Sequence, residues 1–436
     1  MNLQERDKAV NWHPYTQMKT ASNTIPIVRG KGVYLYDNEG KQYIDAVSSW
    51  WVTLHGHSHP YIAQRVSEQL NTLEQVIFAG FTHEPAIQLS ENLLQLLPNN
   101  QQKAFYSDNG STAVEVALKM CIQYCYNHGK EKTKILAFKN AYHGDTFGAM
   151  SVSGRSVWTK PFGEMLFEVI FIDTPNSGNL ESIKSQIKNV ADEIACFIYE
   201  PLIQGAAGML MYEAKDLDEL MKFCREQEIL MVQDEVFTGF GRTGKLFAAN
   251  HLSEKPDIMC FSKGLTGGTL PMGITTCSNE IYNAFLSDDK YKTLFHGHSF
   301  TANPLSCTAA LASMELLLNE ETQNNIQRIS EQHFQFSTIL KQHSNVENVR
   351  QTGTILAWEF KTDQSTSYFN EIGKLLYYAF LLRGIIMRPL GNVMYLVPPY
   401  CITSEELDFI YKNILEVLGK FKIEEETNAS FNQKFV

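Results

Sequence analysis

The sequence predicts an α/β fold built on a mostly parallel sheet that helices cover on both faces. The first observation is an alternation of helical and strand patterns that begins at about residue 85. The second is that several strand candidates are continuous apolar runs, which are typical of strands buried on both faces. With 436 residues, of which 44% are hydrophobic, the chain has globular composition and enough length for two or three domains.

Seven strands are expected in this sheet, at 104–106, 135–138, 169–172, 196–199, 229–232, 258–261 and 272–276. Helices are predicted at 61–73, 85–97, 113–120, 305–318 and 368–383. Turn residues between two alternating arms predict a β-hairpin over 32–46. Towards the C-terminus we expect a strand at 353–360 and a final strand pair formed by 385–387 and 393–397. The polar residues 423–436 are expected to fray.

Two of the predicted strands each lead directly to a charged residue. Asp234 follows the apolar run 229–232, and Lys263 follows the run 258–261. In an open α/β sheet, ligands bind beyond the carboxyl ends of the strands. An acid and a lysine at that edge suggest pyridoxal phosphate, because a lysine forms a Schiff base with its aldehyde and a carboxylate keeps its pyridine nitrogen protonated.

Two glycine-containing stretches are candidate phosphate sites. Residues 110–112 (Gly-Ser-Thr) lie between a strand and a helix, so the unpaired N–H groups of the helix could bind a phosphate. A simple N-cap by Ser111 or Thr112 explains the same residues equally well. Residues 239–245 match a dinucleotide motif and the P-loop spacing, but Leu246 stands where the P-loop needs a hydroxyl. We therefore expect a conformationally demanding loop there.

Other residues at loop positions and strand ends fit a cofactor or a substrate. Tyr142 follows a strand and could stack on a flat ring. Glu200 ends a strand and could either hydrogen-bond a cofactor or form a salt bridge with Arg242. Arg388 could bind a substrate carboxylate through a bidentate pair. Taken alone, a tyrosine such as Tyr142 in a loop is usually a surface or packing residue, and the sequence by itself favours an ordinary exposed arginine at Arg388.

Composition argues against several classes of protein. The net charge of −11 and the lack of a basic block argue against nucleic-acid binding. No apolar run reaches the ~20 residues that span a bilayer, and the first residues lack a signal-peptide pattern. The eight cysteines form no Cys-x-x-Cys pair and are expected to be reduced core thiols of a cytoplasmic protein. Histidines at 55, 57, 59, 296 and 298 are interpreted as turn residues, so no metal is predicted.

Together, these landmarks resemble the class III (ornithine-type) aminotransferases, which are fold type I pyridoxal-phosphate enzymes. The resemblance covers nearly the whole chain and rests on Gly110-Ser111, Tyr142-His143-Gly144, Glu200-Pro201, Asp234-Glu235 with 239–242, and Ser262-Lys263-Gly264. It implies a large cofactor domain over 51–315 and a smaller α+β domain over 316–436. Residues 1–50 are then expected to contribute to the small domain and the active site. The resemblance also implies a homodimer with a shared active site.

Four stretches narrow the resemblance within the class, namely 12–16, 48–51, 142–151, and Arg388-Pro389 with Tyr395 and 398–400. They are similar to members that use S-adenosylmethionine as amino donor and 8-amino-7-oxononanoate as acceptor in biotin biosynthesis, by a ping-pong reaction. A member that acts on ornithine or 4-aminobutyrate, or that takes lysine as donor, is an open alternative. A pyridoxal-phosphate fold without activity that serves as a binding module is another.

The resemblance also implies a role for each site residue. Lys263 is expected to be the catalytic Schiff-base lysine, and Asp234 the partner of the pyridine nitrogen. The expected phosphate ligands are Gly110, Ser111 and Ser299 of the partner subunit. The expected substrate-pocket residues are Tyr15, Trp50, Tyr142, Asp145, Gly297, Arg388 and Tyr395, with Tyr142 stacking on the cofactor ring and Arg388 binding the carboxylate of the oxo-acid. The chain departs from the family at His298, where proline is common, and at 269–273.

Overall fold

The computed structural model describes residues 1–420, so the expected fraying of 423–436 lies outside the described residues. The helices are α1 (Leu3–Val10), α2 (Ser48–Trp51), α3 (Pro60–Leu70), α4 (Glu84–Leu96), α5 (Gly110–Asn127), α6 (Phe147–Val152), α7 (Leu180–Lys188), α8 (Ala214–Glu226), α9 (Asn279–Asn283), α10 (Pro304–Leu318), α11 (Glu320–Leu340), α12 (Ile372–Leu381) and α13 (Ser404–Lys420). The strands are β1 (Ile27–Lys31), β2 (Tyr34–Asp37), β3 (Gln42–Asp45), β4 (Gln101–Ser107), β5 (Lys134–Phe138), β6 (Val169–Ile172), β7 (Ile194–Tyr199), β8 (Ile203–Gln204), β9 (Leu210–Met211), β10 (Leu230–Asp234), β11 (Ile258–Phe261), β12 (Gly273–Ser278), β13 (Val346–Thr352), β14 (Ile355–Phe360), β15 (Ile385–Ile386) and β16 (Val393–Leu396).

The seven strands predicted for the main sheet all form. They lie in the order β4-β12-β11-β10-β7-β5-β6. Strand β12 runs antiparallel to both of its neighbours, and the other neighbouring strands are parallel. The prediction of an α/β fold on a mostly parallel seven-stranded sheet is therefore confirmed.

Burial on both faces explains why the central strands are continuous apolar runs. All six residues of β7 are buried. Cys196 and Ile198 pack in one core cluster with α5, while Phe197 and Tyr199 pack in a second cluster with α7 and α8. Because successive side chains of a strand point to opposite faces, neither face of β7 has a place for polar residues.

The final strand pair was predicted wrongly. Strand β15 pairs in parallel with β3 of the N-terminal hairpin, and β16 pairs antiparallel with β14. The two strands belong to different sheets, of order β1-β2-β3-β15 and β13-β14-β16. Both are apolar and buried, so their patterns identify strands without identifying partners. The pairing of β15 with β3 joins the N-terminal hairpin to the C-terminal part of the chain. The domain boundaries at 50 and 315 stay predictions.

Several elements were not expected from the sequence, among them α1, β1 and β13. Helix α1 has no buried residue and begins with a capping box between Asn2 and Glu5. Strand β1 is almost entirely exposed, so it lacks a hydrophobic pattern. Strand β13 precedes the expected strand at 353–360 and pairs with it as the first arm of a hairpin. Helix α12 begins at Ile372, which leaves residues 368–371 in the preceding loop.

The cysteines differ in one respect from the expectation. All eight are unpaired, and seven are buried, but Cys401 is exposed and is not a core thiol. In the described part of the chain, no helix has the length and apolar character needed to cross a membrane.

Candidate active site

The two strand ends singled out in the sequence lie side by side. Strands β10 and β11 are parallel neighbours, and Asp234 pairs in register with Cys260. Lys263 follows β11 with a positive φ of 45°, a conformation that is uncommon for a residue with a side chain. The sheet therefore delivers an acid and a lysine to the same edge.

Asp234 is a buried carboxylate with two donors. Its Oδ2 accepts a hydrogen bond of 2.7 Å from Nδ1 of His143, and its Oδ1 accepts one of 2.9 Å from the Val236 N–H. The backbone N–H of His143 in turn donates to Ser153 Oγ at 2.9 Å. This arrangement holds the orientation of Asp234. A positioning role for His143 was not predicted from the sequence, because its partner lies 91 positions away.

The amine of Lys263 lies over aromatic rings. Its Nζ is 4.6 Å from the ring centroid of Trp51 and 5.6 Å from that of Phe237. Within residues 1–420, no hydrogen bond or ion pair to this amine is found. Burial lowers the pKa of Lys263 to about 8, and the charges of Asp234 and Glu200 act in the opposite direction. A lysine with this pKa can accept and release a proton near neutral pH.

Helix α5 presents its N-terminus beside this pair. The helix begins at Gly110, and its N-cap is Asn109, whose side chain accepts from the Thr112 N–H at 2.9 Å. The alternative of an N-cap by Ser111 or Thr112 does not apply, although Thr112 Oγ1 completes the capping box by accepting from the Asn109 N–H at 3.1 Å. Because Asn109 caps the helix, Ser111 Oγ is turned to the next loop, where it accepts from the Asp145 N–H at 3.2 Å. The first N–H groups of α5 suit a phosphate.

Gly144 makes the loop beside α5 possible. Its φ is 134°, and a Cβ at this position would collide with Ser111 Oγ. Only glycine combines this backbone conformation with such a close approach. The loop therefore brings residues 142–145 directly against the start of α5.

Tyr142, Tyr15 and Asp145 form a hydrogen-bonded group. The hydroxyls of both tyrosines donate to Asp145 Oδ2, the one from Tyr142 over 3.1 Å, and the two hydroxyls lie 3.3 Å apart. Burial and Asp145 raise the pKa of Tyr15 to about 12, so its hydroxyl stays protonated. Among the described residues, no cation is paired with Asp145. The structure thus places an anion at this side of the site.

The guanidinium of Arg388 stacks on the ring of Trp50. The guanidinium carbon of Arg388 is 4.2 Å from the Trp50 ring centroid. No carboxylate of the described chain pairs with Arg388. Tyr395 is only 1% exposed, and its ring meets Trp51 edge-on at 6.1 Å. Tyr395 therefore supports the wall of the site from behind.

Gly297 and Ser299 are not joined to the other candidate residues by any contact described within the chain. Both are exposed and lie in the loop before α10. The carbonyl of Ser299 accepts from Gln75 Nε2 at 2.6 Å. His298 belongs to the same compact turn and accepts from the Phe300 N–H through Nδ1 at 3.1 Å. Their predicted contact with a phosphate would have to be made to another subunit.

Of the two alternatives for Glu200, the salt bridge with Arg242 does not form. Arg242 donates to the carbonyl of Pro398 at 2.9 Å and lies over the ring of Tyr400. Glu200 is buried, with no partner for Oε2, and burial together with Asp234 raises its pKa well above the usual range. The loop from which Arg242 extends does have the demanding backbone expected of it, since Phe240 has a φ of 61°.

Three aromatic residues next to the site were not predicted from the sequence, namely Trp158, Tyr368 and Phe369. The ring of Trp158 meets Tyr15 at 5.2 Å, Tyr368 at 4.4 Å and Phe369 at 5.7 Å. Trp158 lies in a loop among polar residues, with no strand or helix pattern to bury it. A large aromatic residue alone in a polar loop was the sign in the sequence that Trp158 could have a function. No cluster of metal-ligating side chains is found in the described residues.

The chain was compared with known proteins. The sequence profile described as "Aminotransferase class-III" matches residues 15–418. The adenosylmethionine-8-amino-7-oxononanoate aminotransferase of Synechococcus elongatus is 45% identical over 421 residues, which cover 94% of this chain and 98% of the relative. The protein of the same name from Staphylococcus aureus is 39% identical, with 93% and 94% covered.

Solved structures give the same result. The adenosylmethionine-8-amino-7-oxononanoate aminotransferase of Methanocaldococcus jannaschii superposes with a TM-score of 0.93 at 39% identity, over 97% of this chain and 99% of that one. A PLP-bound amine transaminase from an uncultivated Pseudomonas species superposes with a TM-score of 0.87 at 29% identity, over 94% and 98%. With the family profile matching nearly its whole length, the chain belongs to the class III aminotransferases.

Proposed function

We propose that this aminotransferase transfers the amino group of S-adenosylmethionine to 8-amino-7-oxononanoate, which gives 7,8-diaminononanoate for biotin biosynthesis. The observation that carries the proposal is the stacking of Arg388 on Trp50, which Tyr15 links to Asp145, in a chain 45% identical to a relative of that name. Arg388 offers a bidentate partner to the carboxylate of the oxo-acid. Asp145 offers an anion to a cationic donor.

The residues present fit pyridoxal phosphate. Gly110 and Ser111 at the start of α5 would hold the phosphate, and Tyr142 would lie against the ring. Asp234 would pair with the ring nitrogen, and Lys263 would bind the aldehyde. The amine of Lys263 and the open Oε2 of Glu200 lack partners within the described chain, as expected of a site built for a further group. When bound, the cofactor supplies an aldehyde that carries the amino group and a ring that withdraws electrons.

The side chains around the lysine have separate tasks. Nζ of Lys263 takes a proton from the donor carbon that bears the amino group, and a pKa of about 8 leaves about a tenth of the amines neutral at pH 7. Asp234, whose orientation is fixed by His143, would keep a proton on the pyridine nitrogen of the cofactor. Trp51 and Phe237 exclude water from the amine.

Both substrates would use this pocket in turn, in a ping-pong reaction. The donor leaves its amino group on the enzyme before the acceptor enters. Trp50 presents a face to either substrate, since it is 38% exposed. The acceptor is selected by Arg388.

We also propose a homodimer with shared active sites. Support comes from Gly297 and Ser299, which are exposed and make no described contact with the rest of the site in this chain. Exposed aromatic residues accompany them in the same loop, with Phe295 at 68% and Phe300 at 64%. In a dimer, Ser299 of the partner subunit would then complete the phosphate site.

Single-turnover absorbance spectroscopy tests the proposed function. Purified enzyme is mixed with S-adenosylmethionine or with lysine in separate cuvettes, and formation of 7,8-diaminononanoate is followed after the oxo-acid is added. We expect a spectral change and product with S-adenosylmethionine. Lys263→Ala should lose both, whereas Lys139→Ala, which removes a surface lysine paired with Asp173, should keep them. Turnover with lysine alone, or with ornithine, would contradict the proposed donor, and a protein that takes up no cofactor would indicate a binding module.

A further inference from the structure

An aromatic cluster, formed by Tyr15, Trp158, Tyr368 and Phe369, extends the site outward. Its members come from three segments that are distant in sequence. Trp158 is central, since it contacts Tyr15 at 5.2 Å, Tyr368 at 4.4 Å and Phe369 at 5.7 Å. The first two contacts are edge-to-face, and the third is tilted by 33°. Trp158 is half-buried, so part of its ring stays accessible to a further planar group.

The cluster is exposed to an unusual degree for its composition. Phe369 is 63% exposed, Tyr15 43% and Tyr368 38%. Contiguous apolar surface of this kind marks a ligand or partner site more often than a lone exposed residue does. Ring faces that stay open on folding are available to a ligand.

The cluster is continuous with the candidate active site. Tyr15 meets the ring of Trp50 at 5.7 Å, and its hydroxyl donates to Asp145. The guanidinium of Arg388 lies over the Trp50 ring. A ligand that lies on Trp158 is therefore next to the tyrosine that joins Asp145 and Trp50.

We propose that Trp158, with Tyr368 and Phe369, binds the purine ring of the amino donor and so determines donor specificity. This inference rests on the proposed function, in which the donor carries an adenine and a sulfonium. The adenine offers a face to stack on aromatic rings, as bases do in sequence-independent binding sites. The sulfonium lies between the adenine and the amino acid end, and Asp145, which accepts from Tyr15 at the inner edge of the aromatic cluster and has no cation partner among the described residues, offers it a carboxylate.

The same geometry separates the two substrates. The oxo-acid has no ring, so it gains little from the aromatic cluster and depends on Arg388. The donor uses Trp158 and Asp145. One pocket thus accepts two unlike molecules because each is bound by a different set of side chains.

Separate measurement of the two half-reactions on the cofactor-loaded enzyme tests this inference. Trp158→Ala should weaken the apparent affinity for S-adenosylmethionine by about 10- to 100-fold. It should leave the affinity of the aminated enzyme for the oxo-acid within about twofold of wild type, because removing the Trp158 ring does not change the contacts of Arg388. Trp158→Phe, which keeps a ring face, should recover most of the donor affinity. Tyr126→Ala, at a tyrosine 78% exposed on α5, is the matched control and should change neither affinity.

Adenosine provides a probe that does not depend on turnover. We expect adenosine to compete with the donor in wild type and to bind Trp158→Ala at least about tenfold more weakly. Thermal unfolding and cofactor absorbance establish that the variant is folded and loaded. Equal weakening of both half-reactions, or unchanged donor affinity in Trp158→Ala, would overturn the inference and leave the proposed function standing. If wild type uses no S-adenosylmethionine, the proposed function fails, and lack of adenosine binding then overturns the inference as well.

Discussion

The pKa of Lys263 is a measurable consequence of its aromatic surroundings. An ordinary lysine has a pKa of 10.5, whereas burial lowers that of Lys263 to about 8. At pH 8 about half of the Lys263 amines are then neutral, compared with about 0.3% for a lysine of the ordinary pKa. Because only the neutral amine is a nucleophile, Lys263 should react about 150-fold faster than a surface lysine of equal accessibility at that pH.

Competitive labelling of the cofactor-free protein measures this difference. Trace acetic anhydride is added at a series of pH values between about pH 6 and pH 11, and the labelled peptides are quantified by mass spectrometry. Lys139 is the internal control, since its side chain is 52% exposed and pairs with Asp173. We expect the labelling midpoint of Lys263 near pH 8, well below the ordinary lysine value of 10.5, because burial disfavours the charged amine.

Removing the neighbouring charge gives the sign of the electrostatic effect. Asp234 favours the charged form of Lys263, so it raises the pKa against the effect of burial. In Asp234→Asn the midpoint of Lys263 should therefore fall further below that of wild type. A wild-type midpoint near 10.5, or a midpoint that rises in Asp234→Asn, would refute the account of this site.

Three further predictions concern substrate, charge state and cofactor. Arg388→Ala should raise KM for the oxo-acid by about 10- to 100-fold and KM for the donor far less, because only the oxo-acid depends on the guanidinium. Steady-state kinetics with each substrate varied in turn measures both values. Equal effects on the two would contradict a role of Arg388 as the carboxylate ligand. Glu200→Gln should keep kcat/KM within about threefold of wild type, because burial and Asp234 raise the pKa of Glu200 and so favour its neutral form, which glutamine resembles in shape and charge. A loss comparable to that of Lys263→Ala would contradict this account. Gly144→Ala should weaken cofactor binding by about tenfold or more in equilibrium dialysis, because the new Cβ collides with Ser111 Oγ at a φ of 134°, whereas Gly419→Ala, with open space around it, should not.

The parts of the site that the sequence predicted share one property. Asp234 and Lys263 each follow an apolar run, and the start of α5 follows a strand that leads to Gly110. In a parallel sheet, strand ends that are separated along the chain meet at one edge. Local pattern was therefore enough to place these residues together, before any tertiary contact was known.

Residues that act through long-range partners could not be predicted in this way. His143 serves Asp234, 91 positions away, and Trp158 joins Tyr15 to Tyr368. None of these contacts leaves a periodic signal, because each is a single side chain on a loop. The error at β15 has the same origin, since an apolar dipeptide cannot encode whether its partner is the next strand or β3.

Glu200 and Arg242 do not form an ion pair, which shows that opposite charge alone does not predict which side chains pair inside a protein. Arg242 is satisfied by the Pro398 carbonyl and the Tyr400 ring, and so it needs no carboxylate. Glu200 is left with an unpaired oxygen in a buried site, and burial together with Asp234 raises its pKa well above the usual range. Asp234, by contrast, accepts hydrogen bonds on both oxygens. Both carboxylates favour the protonated form of Lys263, but burial of the amine outweighs them, and the pKa of Lys263 therefore falls to about 8.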